Sequence, residues 1–301
     1  MSTTRQTVSF LTQRFREAGI HPDVRHGQNF LIDLNLLDVL LETADLGRED
    51  VVLEVGTGLG SLTSKMAPLA AHVVTVEIDS RLFQLASEEL VDCANVTMLR
   101  FDALKNKNHL SPTLIETVQQ RLRETPGAQL KLVANLPYNV ATPILSNLLT
   151  FDPVPVSMTA TVQKELAERM TAEPGIKDYS ALSIWMQALC YCRIIRTLPP
   201  QCFWPKPKVH SAIVHIVPNA RKRARVSDVE FFHHFIRTLF QHRRKFLRGV
   251  LVSMLKDRLA KSDVDAILAG FEFPEDARAE QLPVETLIRL SEAFRSATAH
   301  A

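Results

Sequence analysis

Short apolar runs alternate with amphipathic stretches over the first half of the chain, and this pattern predicts strands and helices in turn. The predicted strands cover 51–55, 73–77, 96–101, 130–134 and 156–162, and the predicted helices 7–17, 61–67 and 81–90. Strands that alternate with helices indicate a parallel, doubly wound α/β sheet with helices on both faces. The nearly continuous apolar character of these strands fits burial on both faces.

The pattern changes in the last third of the chain. A helix is predicted at 184–189, and two strands at 191–198 and 212–217 flank a proline-rich loop. Beyond Asn219 only helices are predicted, over 228–240, 244–258, 263–270 and 284–296. We therefore expect two domains, 1–218 and 219–301. The polar segment 105–128, with a helix near 114–122, is long for a simple connection and is predicted to be an added surface element.

Composition narrows the class of protein only slightly. The chain has 301 residues, a net charge of +2 and four cysteines, none of them in a Cys-x-x-Cys pair. This pattern predicts no zinc or other metal site. We find no secretory signal and no apolar run long enough for a bilayer, so the expectation is a reduced, cytoplasmic protein without a membrane partner.

Positive charge is concentrated near the C-terminus. Basic runs occur at 221–225 and at 243–248, the second with an interleaved phenylalanine. Such runs are usually solvated surfaces, but two of them close together also fit contact with a phosphate backbone. We predict nucleic-acid binding by Arg243, Arg244 and Lys245.

The ends of the first three strands carry candidate ligand contacts. Gly56, Gly58 and Gly60 follow the first strand, and their spacing differs from the Gly-x-Gly-x-x-Gly of dinucleotide binders. Glu77 ends the second strand and suits ribose hydroxyls, while Asp102 follows the third and suits an adenine amine. Strand-end carboxylates also cap helices, but Asp79 is the better cap for the helix at 81–90, which would leave Glu77 for a ligand.

Two classes of nucleoside cofactor fit these positions. A nicotinamide cofactor needs its pyrophosphate at the helix N-terminus, whereas S-adenosylmethionine has no phosphate and needs space for a methionine moiety. The irregular glycine spacing and the lack of a His or Tyr constellation for hydride transfer favour S-adenosylmethionine.

Asn135-Leu136-Pro137-Tyr138 stands where the fourth predicted strand ends. An amide, a proline of fixed φ and an aromatic ring together offer hydrogen bonds and a stacking face to a flat, amine-bearing ring such as adenine. Taken alone, the same four residues are also typical of an ordinary strand-to-turn transition.

These motifs occur in the order found in a known family. They are HGQNFL at 26–31, EVGTGLGSLT at 54–63, VEID at 76–79, FDAL at 101–104, NLPYN at 135–139, VQKELAER at 162–169 and FWPKPKV at 203–209. Phe240 with 243–245, and 278–280, also fit. From about 25 to 294 the chain resembles the small-subunit (16S) ribosomal RNA adenine-N6,N6-dimethyltransferases. The resemblance implies a Rossmann-like S-adenosylmethionine-dependent methyltransferase domain followed by a small, all-helical C-terminal domain.

The resemblance also implies the residues of the site. Cofactor contacts are expected from Asn29, Leu31, Gly56, Glu77, Asp102 and Asn135. Glu77 would hold the ribose hydroxyls and Asp102 the adenine amine, with Asn29 and Leu31 closing over the cofactor. The catalytic set would be Asn135, Leu136, Pro137, Tyr138 and Phe203.

The roles within the catalytic set follow from the chemistry of an adenine amine. The Asn135 side-chain oxygen and the Leu136 or Pro137 carbonyl are expected to accept the two amine hydrogens, with Tyr138 and Phe203 stacking on either face of the base. By itself Phe203 would be predicted as a core residue beside Pro205 and Pro207, and only the resemblance favours contact with the base.

The implied substrate is a pair of adjacent adenosines in a hairpin loop near the 3′ end of small-subunit RNA, within an immature subunit, and the enzyme is expected to act as a monomer. A large-subunit (23S) methyltransferase of the macrolide-resistance type and a non-catalytic assembly factor are the alternatives. The chain departs from the family at Thr57, often proline, at Ser180 and His210, and in the longer 105–128 segment.

Overall fold

The computed structural model describes residues 8–17, 19 and 28–299, and the chain divides into two compact units. The first takes the chain up to Ala167 together with 193–218, and the second takes 168–192 and the chain from Asn219. The predicted boundary at 218/219 therefore differs from this division in one segment, 168–192. Residues 168–192 belong to the second unit because their helix packs on helices near the C-terminus.

The strands are β1 (Phe30–Leu31), β2 (Asp50–Val55), β3 (His72–Val76), β4 (Val96–Leu99), β5 (Leu104–Asn106), β6 (His109–Leu110), β7 (Gln129–Asn135), β8 (Ser157–Gln163), β9 (Cys190–Leu198), β10 (Phe203–Trp204) and β11 (Ser211–Pro218). The helices up to Thr171 are α1 (Val8–Glu17), α2 (Leu34–Ala44), α3 (Ser61–Met66), α4 (Ser80–Glu89), α5 (Pro112–Glu124), α6 (Ala141–Leu148) and α7 (Lys164–Thr171).

Seven strands form the central sheet, in the order β4-β3-β2-β7-β8-β11-β9. The β4-β3, β3-β2, β2-β7 and β7-β8 pairs are parallel, and β11 is antiparallel to β8. From β2 the chain winds outward through β3 and β4, then returns to place β7 on the other side of β2. Such a reversal opens a crevice at the carboxyl ends of β2 and β7, where open α/β sheets bind ligands. The glycine loop follows β2 and Asn135 ends β7, so both motifs lie at this crevice.

Three helices up to Thr171 were absent from the sequence prediction: α2, α6 and α7. Leu36, Leu37 and Leu40 are buried, and α2 packs on β7, β8 and β11. Its start is capped by Asp33, whose carboxylate accepts from the Asn35 N–H. The 105–128 segment is also now explained, since it consists of the β5-β6 hairpin and α5, the helix that returns the chain to β7.

The second unit is helical beyond its short link to β9. Its remaining helices are α8 (Ala181–Leu189), α9 (Ala220–Arg223), α10 (Val229–Gln241), α11 (Leu247–Leu255), α12 (Lys261–Ala269) and α13 (Val284–Ala299). Trp185 of α8 stacks on Phe232 of α10, and Phe235 of α10 stacks on Phe294 of α13. The predicted helical C-terminal region is confirmed, although α11 begins at Leu247 rather than at the predicted position 244. None of the helices described is long and apolar enough to cross a membrane.

Candidate active site

A cavity of about 300 Å³ opens at the carboxyl ends of β2, β3, β4 and β7. All the predicted cofactor contacts line it, together with three further residues of the acceptor motif: Asn29, Leu31, Gly56, Glu77, Asp102, Asn135, Leu136, Pro137 and Tyr138. The fold thus brings together side chains that are more than a hundred positions apart in the sequence. His26 and Gly27 of the first motif lie outside the described residues.

The glycine loop leaves no room for side chains on two of its residues. Gly56 has a φ of 90° and Gly58 a φ of 58°, a conformation that favours glycine. A Cβ on Gly56 would lie 3.2 Å from the ring of Pro137, and one on Gly58 would lie 3.3 Å from the ring of Phe30. The loop after β2 therefore passes so close to the acceptor motif that a side chain on Gly56 would press against Pro137.

Glu77 is buried, and both of its carboxylate oxygens already accept hydrogen bonds. Oε2 accepts from the Gly58 N–H at 2.9 Å and Oε1 from the Asp79 N–H at 2.9 Å. Asp79 caps α4, as predicted, so the Glu77 carboxylate is not used as the cap of that helix. Each carboxylate oxygen can accept a second hydrogen bond, so the ribose hydroxyls still have acceptors here. Burial raises the pKa of Glu77, opposed by the backbone donors.

Asp102 lies on the rim of the cavity and is exposed. Its Oδ1 accepts from the Leu104 N–H at 2.9 Å, which fixes the turn between β4 and β5. Because Oδ1 is held by the turn, the second oxygen is the natural acceptor for an adenine amine in the cavity.

Asn135 is oriented by the N-terminal segment. Its Nδ2 donates to the backbone carbonyl of Asn29 at 2.9 Å. This bond uses the donor side of the amide, so Oδ1 is the atom left to accept from a substrate. Asn29, predicted to close over the cofactor, thus also orients the amide of the acceptor motif.

The backbone of the motif decides between the two candidate carbonyls. The Pro137 carbonyl accepts from the N–H groups of Val140 and Ala141, both at 3.1 Å, at the start of α6. The Leu136 N–H donates to Thr161 O at 3.1 Å and extends the pairing of β7 with β8. Of the two carbonyls, Leu136 O remains the better acceptor for the amine.

The two predicted stacking rings have different environments. Tyr138 lines the cavity, and its hydroxyl lies 2.6 Å from Ser211 Oγ, which fixes the ring. Phe203 does not line the cavity. It is 2% exposed, pairs with Leu31 in the β1-β10 ribbon and belongs to an apolar cluster with Leu36 and Ile213. The predicted stacking of Phe203 on the base is contradicted by this burial, and the simpler interpretation as a core residue fits.

One carboxylate in the cavity wall was not predicted. Glu54, the only charged residue within the apolar strand β2 after Asp50, is 1% exposed and lines the cavity. Its Oε2 accepts from the hydroxyls of Thr63 and Thr75, the latter at 2.7 Å. Burial raises the pKa of Glu54 to about 8, only partly opposed by these hydroxyls. A lone acid inside a buried strand is the signal that could have revealed it.

The predicted RNA-binding residues separate into two kinds. Arg243 is half-buried; its guanidinium donates to the carbonyls of Tyr179 and Lys177 and lies 3.4 Å from Glu280. It therefore holds the 177–180 turn within the second unit, which corrects its expected role as a surface cation. Arg244 and Lys245 are exposed. Across the described residues, no three His, Cys, Asp or Glu side chains are grouped to hold a metal ion.

The order of motifs and the geometry of the cavity agree with comparison to known proteins. A family model described as ribosomal RNA adenine dimethylase matches residues 22–294. The chain belongs to this family. Among curated relatives of this adenine dimethylase, a Ribosomal RNA small subunit methyltransferase A from Clostridium botulinum is 37% identical, covering 88% of this chain and 91% of the relative. One of the same name from Alkaliphilus oremlandii is 39% identical, covering 86% and 87%.

Solved structures show the same fold. A dimethyladenosine transferase from Plasmodium falciparum aligns with a TM-score of 0.73 at 25% identity, covering 88% of this chain and 97% of that one. The 23S rRNA methyltransferase ErmE aligns with a TM-score of 0.62 at 25% identity, covering 89% and 100%. The chain thus has the Rossmann-like methyltransferase fold that the sequence predicted.

Family and fold are those of enzymes that use S-adenosylmethionine, and the cavity fits this cofactor. Gly56 and Gly58 line the cavity and carry no side chains, so the backbone of the loop can approach a ligand closely. The buried Glu77 stands where the ribose hydroxyls need acceptors, and no phosphate-binding Gly-x-Gly-x-x-Gly loop is present in the sequence.

Proposed function

We propose that this protein methylates N6 of two adjacent adenosines in a 3′-terminal hairpin loop of small-subunit (16S) ribosomal RNA, with S-adenosylmethionine as methyl donor. The carrying observation is that Gly56 of the glycine loop and Pro137 of the acceptor motif lie close together in the wall of the same cavity, which supports placing the acceptor motif against the cofactor site. The names of the relatives, which refer to the small subunit, support that subunit as the source of the RNA. The setting would be an immature subunit in the cytoplasm, met by a single copy of the enzyme.

The chain's contribution to the reaction is to position and polarise the adenine amine. When bound, the cofactor supplies an activated methyl group. Asn135 Oδ1 and the Leu136 carbonyl each accept one N6 hydrogen, which disfavours delocalisation of the nitrogen lone pair into the ring. The lone pair is then directed at the methyl carbon, so that the nitrogen–carbon bond would form as the bond from that carbon to sulfur breaks, and the surplus N6 proton would pass to water. Neither acceptor acts as a general base, so the catalysis is positioning and electrostatic preorganisation.

The target adenine must leave its stack to enter the cavity. Tyr138 offers one aromatic face, because its hydroxyl is held by Ser211 and its ring lines the cavity. With Phe203 in the core, the opposite face of the base meets other lining residues. The monomethyl product must be accommodated in the same cavity, because it is methylated a second time.

The direct test is methyl transfer to isolated small subunits that lack these methyl groups. We expect labelled cofactor to yield N6,N6-dimethyladenosine at two adjacent positions, identified by mass spectrometry of nuclease fragments. Mature, fully methylated subunits are the matched control and should accept no label. Label in large-subunit RNA would instead support the macrolide-resistance type of activity, for which ErmE is the structural precedent. Absence of dimethyladenosine in both subunits would reject the proposal.

Arg244 and Lys245 are proposed to bind the phosphate backbone of the subunit RNA, because both are exposed cations beside the exposed ring of Phe246. Reversal of both charges is expected to weaken subunit binding and to reduce the slope of log affinity against log salt by about 2, as for two phosphate contacts. Filter binding across a salt series measures this slope. An unchanged slope in Arg244→Glu/Lys245→Glu would show that neither side chain contacts phosphate.

A further inference from the structure

A basic hairpin adjoins the rim of the cavity. It consists of β5 and β6, with Leu104 paired with Leu110 and Asn106 with His109. Its first strand follows Asp102 and Ala103, both of which line the cavity. Its second strand is followed by Ser111, whose N–H donates to Ala103 O at 2.8 Å. The hairpin therefore leaves the body of the first unit at the cavity edge and returns to the same place.

The hairpin is held in one conformation by its own contacts. Ala103 and Leu110, at the two ends of the hairpin, are each 5% exposed and attach it to the body of the first unit. At the tip, Asn106 Oδ1 accepts from the Asn108 N–H at 2.9 Å and lies 3.0 Å from His109 Nδ1. These bonds fix the turn without any contribution from a lysine.

A tether connects the tip to the acceptor side of the site. Asn147 of α6 donates from Nδ2 to the Lys107 carbonyl at 3.4 Å, and α6 contacts β6. Because α6 begins directly after the acceptor motif, the hairpin lies at the same edge of the sheet as Asn135 and Asp102. Its position is therefore fixed relative to both the donor and the acceptor sides of the cavity.

The charge of the hairpin is of one sign. All five residues from Lys105 to His109 are exposed, and 103–111 contain two lysines and no acidic residue. The contacts that shape the hairpin are made by backbone groups, by Asn106 and by Asn147, so the lysine ammonium groups are not what holds the fold here. A preformed, cationic projection at the entrance of a site for an extruded base is suited to the phosphates on either side of that base.

We propose that Lys105 and Lys107 bind RNA phosphates that flank the adenine in the cavity, and that they hold the strand while the base is extruded. This inference rests on the proposed function, since it requires an RNA acceptor. It places part of the RNA contact on the catalytic unit itself, in addition to the basic surface of the second unit. The hairpin then acts on substrate affinity and leaves cofactor binding unaffected.

The test compares Lys105→Glu/Lys107→Glu with a matched double reversal, Arg48→Glu/Arg123→Glu. Arg48 and Arg123 are also exposed and also belong to the first unit. Arg48 lies just before β2 and Arg123 in the last turn of α5, which leads into β7, so both are near the amino ends of the strands, opposite the cavity. Initial rates of methyl transfer are measured over a range of subunit concentrations and of salt. Binding of S-adenosylmethionine is measured separately by calorimetry.

For the hairpin variant we expect KM for the subunit to rise about tenfold and the salt slope to fall by about 2, with kcat and cofactor binding unchanged. The Arg48→Glu/Arg123→Glu protein should behave as wild type. Equal effects in both variants would show that the lysines act only through the overall positive charge of the unit. Loss of cofactor binding in the hairpin variant would show that the hairpin stabilises the cavity instead of binding RNA. Either result overturns the inference.

Two further outcomes separate this inference from the function on which it rests. If the wild-type protein is active and the hairpin variant has the same kinetics, the hairpin contact alone is rejected. If the wild-type protein methylates neither the small nor the large subunit, both the proposed function and the hairpin contact are rejected. The same kinetics are repeated on a protein-free RNA fragment that contains the target loop. A hairpin effect seen with subunits but absent with this fragment would assign the lysines to a ribosomal protein and overturn the RNA contact.

Discussion

Replacement of Asn135 by alanine is expected to lower kcat for methyl transfer by about 100-fold or more, the usual cost of removing one oriented hydrogen-bond partner of the reacting group. The substitution removes Oδ1, which we assign to one hydrogen of the adenine amine, and it also removes the Nδ2 bond to Asn29 O. Cofactor affinity should fall much less, because Glu77 and the glycine loop remain in place. Single-turnover transfer to unmethylated subunits and calorimetric binding of the cofactor measure the two effects separately.

Two variants make this experiment specific. Asn135→Asp keeps an acceptor oxygen but replaces the donor to Asn29 O, so it should lose orientation while retaining acceptance. We expect its kcat to lie between those of wild type and Asn135→Ala. Asn35→Ala alters an exposed amide on α2 and should transfer methyl groups as wild type does. Undiminished transfer by Asn135→Ala would remove Asn135 from the mechanism.

Glu54→Gln is expected to remove a pH dependence of folding stability. The folded-state pKa of Glu54 is raised from 4.5 to about 8, so the stability it contributes is fully present below pH 4.5. That stability is lost as pH rises through the folded pKa, because the unfolded chain ionises first. From about pH 6 to about pH 8 the wild type should lose about 2 kcal/mol from this group. Glutamine keeps an acceptor for Thr63 and Thr75 but does not ionise.

Urea denaturation of both proteins at the two pH values measures this difference in free energy. The variant should be relatively more stable at the higher pH. Glu49→Gln is the matched control, because Glu49 is exposed and only one position before β2. Its unfolding should follow the wild type at both pH values. If Glu54→Gln shows the same pH dependence as the wild type, Glu54 is not protonated in the folded protein.

Much of the fold could be predicted because its strands are short, apolar and separated by helices. The crevice position followed from two motifs at strand ends, and β2 and β7 are indeed neighbours. Helix α2 was missed although Leu36, Leu37 and Leu40 have helical spacing after the Asp33 cap. Inclusion of 168–192 in the second unit depends on contacts with distant helices, and no local pattern in the sequence reports them.

The predicted site residues differ in how far local sequence could specify them. Gly56 and Asn135 stand at strand ends, so the parallel topology alone places them in the cavity. The burial of Phe203 depends on β10 pairing with β1, two strands of two residues that are separated by most of the first unit. The bonds of Arg243 depend on a turn more than sixty residues earlier. A basic run in the sequence cannot distinguish such a guanidinium from its exposed neighbours.

The buried network around Glu54 involves one of the chain's departures from its family. The hydroxyl of Thr57 lies 2.6 Å from that of Thr75, which itself donates to Glu54. Because the single proton of Thr75 is directed at the carboxylate, Thr57 must donate to Thr75. A proline at position 57 would have no hydroxyl to join this chain of hydrogen bonds, so the departure at Thr57 gives the cavity wall a polar link.

The close approach of Gly56 to Pro137 limits how the enzyme can be redesigned. Enlarging the cofactor site for a bulkier transferable group invites changes in the glycine loop, yet a single methyl on Gly56 would approach the proline ring to 3.2 Å. A side chain at Gly56 would therefore require the ring of Pro137 to shift, and Pro137 belongs to the motif that positions the amine. The range of cofactors accepted and the geometry of the acceptor motif are therefore coupled at positions 56 and 137. Variants that accept a modified methyl donor should be sought with paired substitutions at both positions.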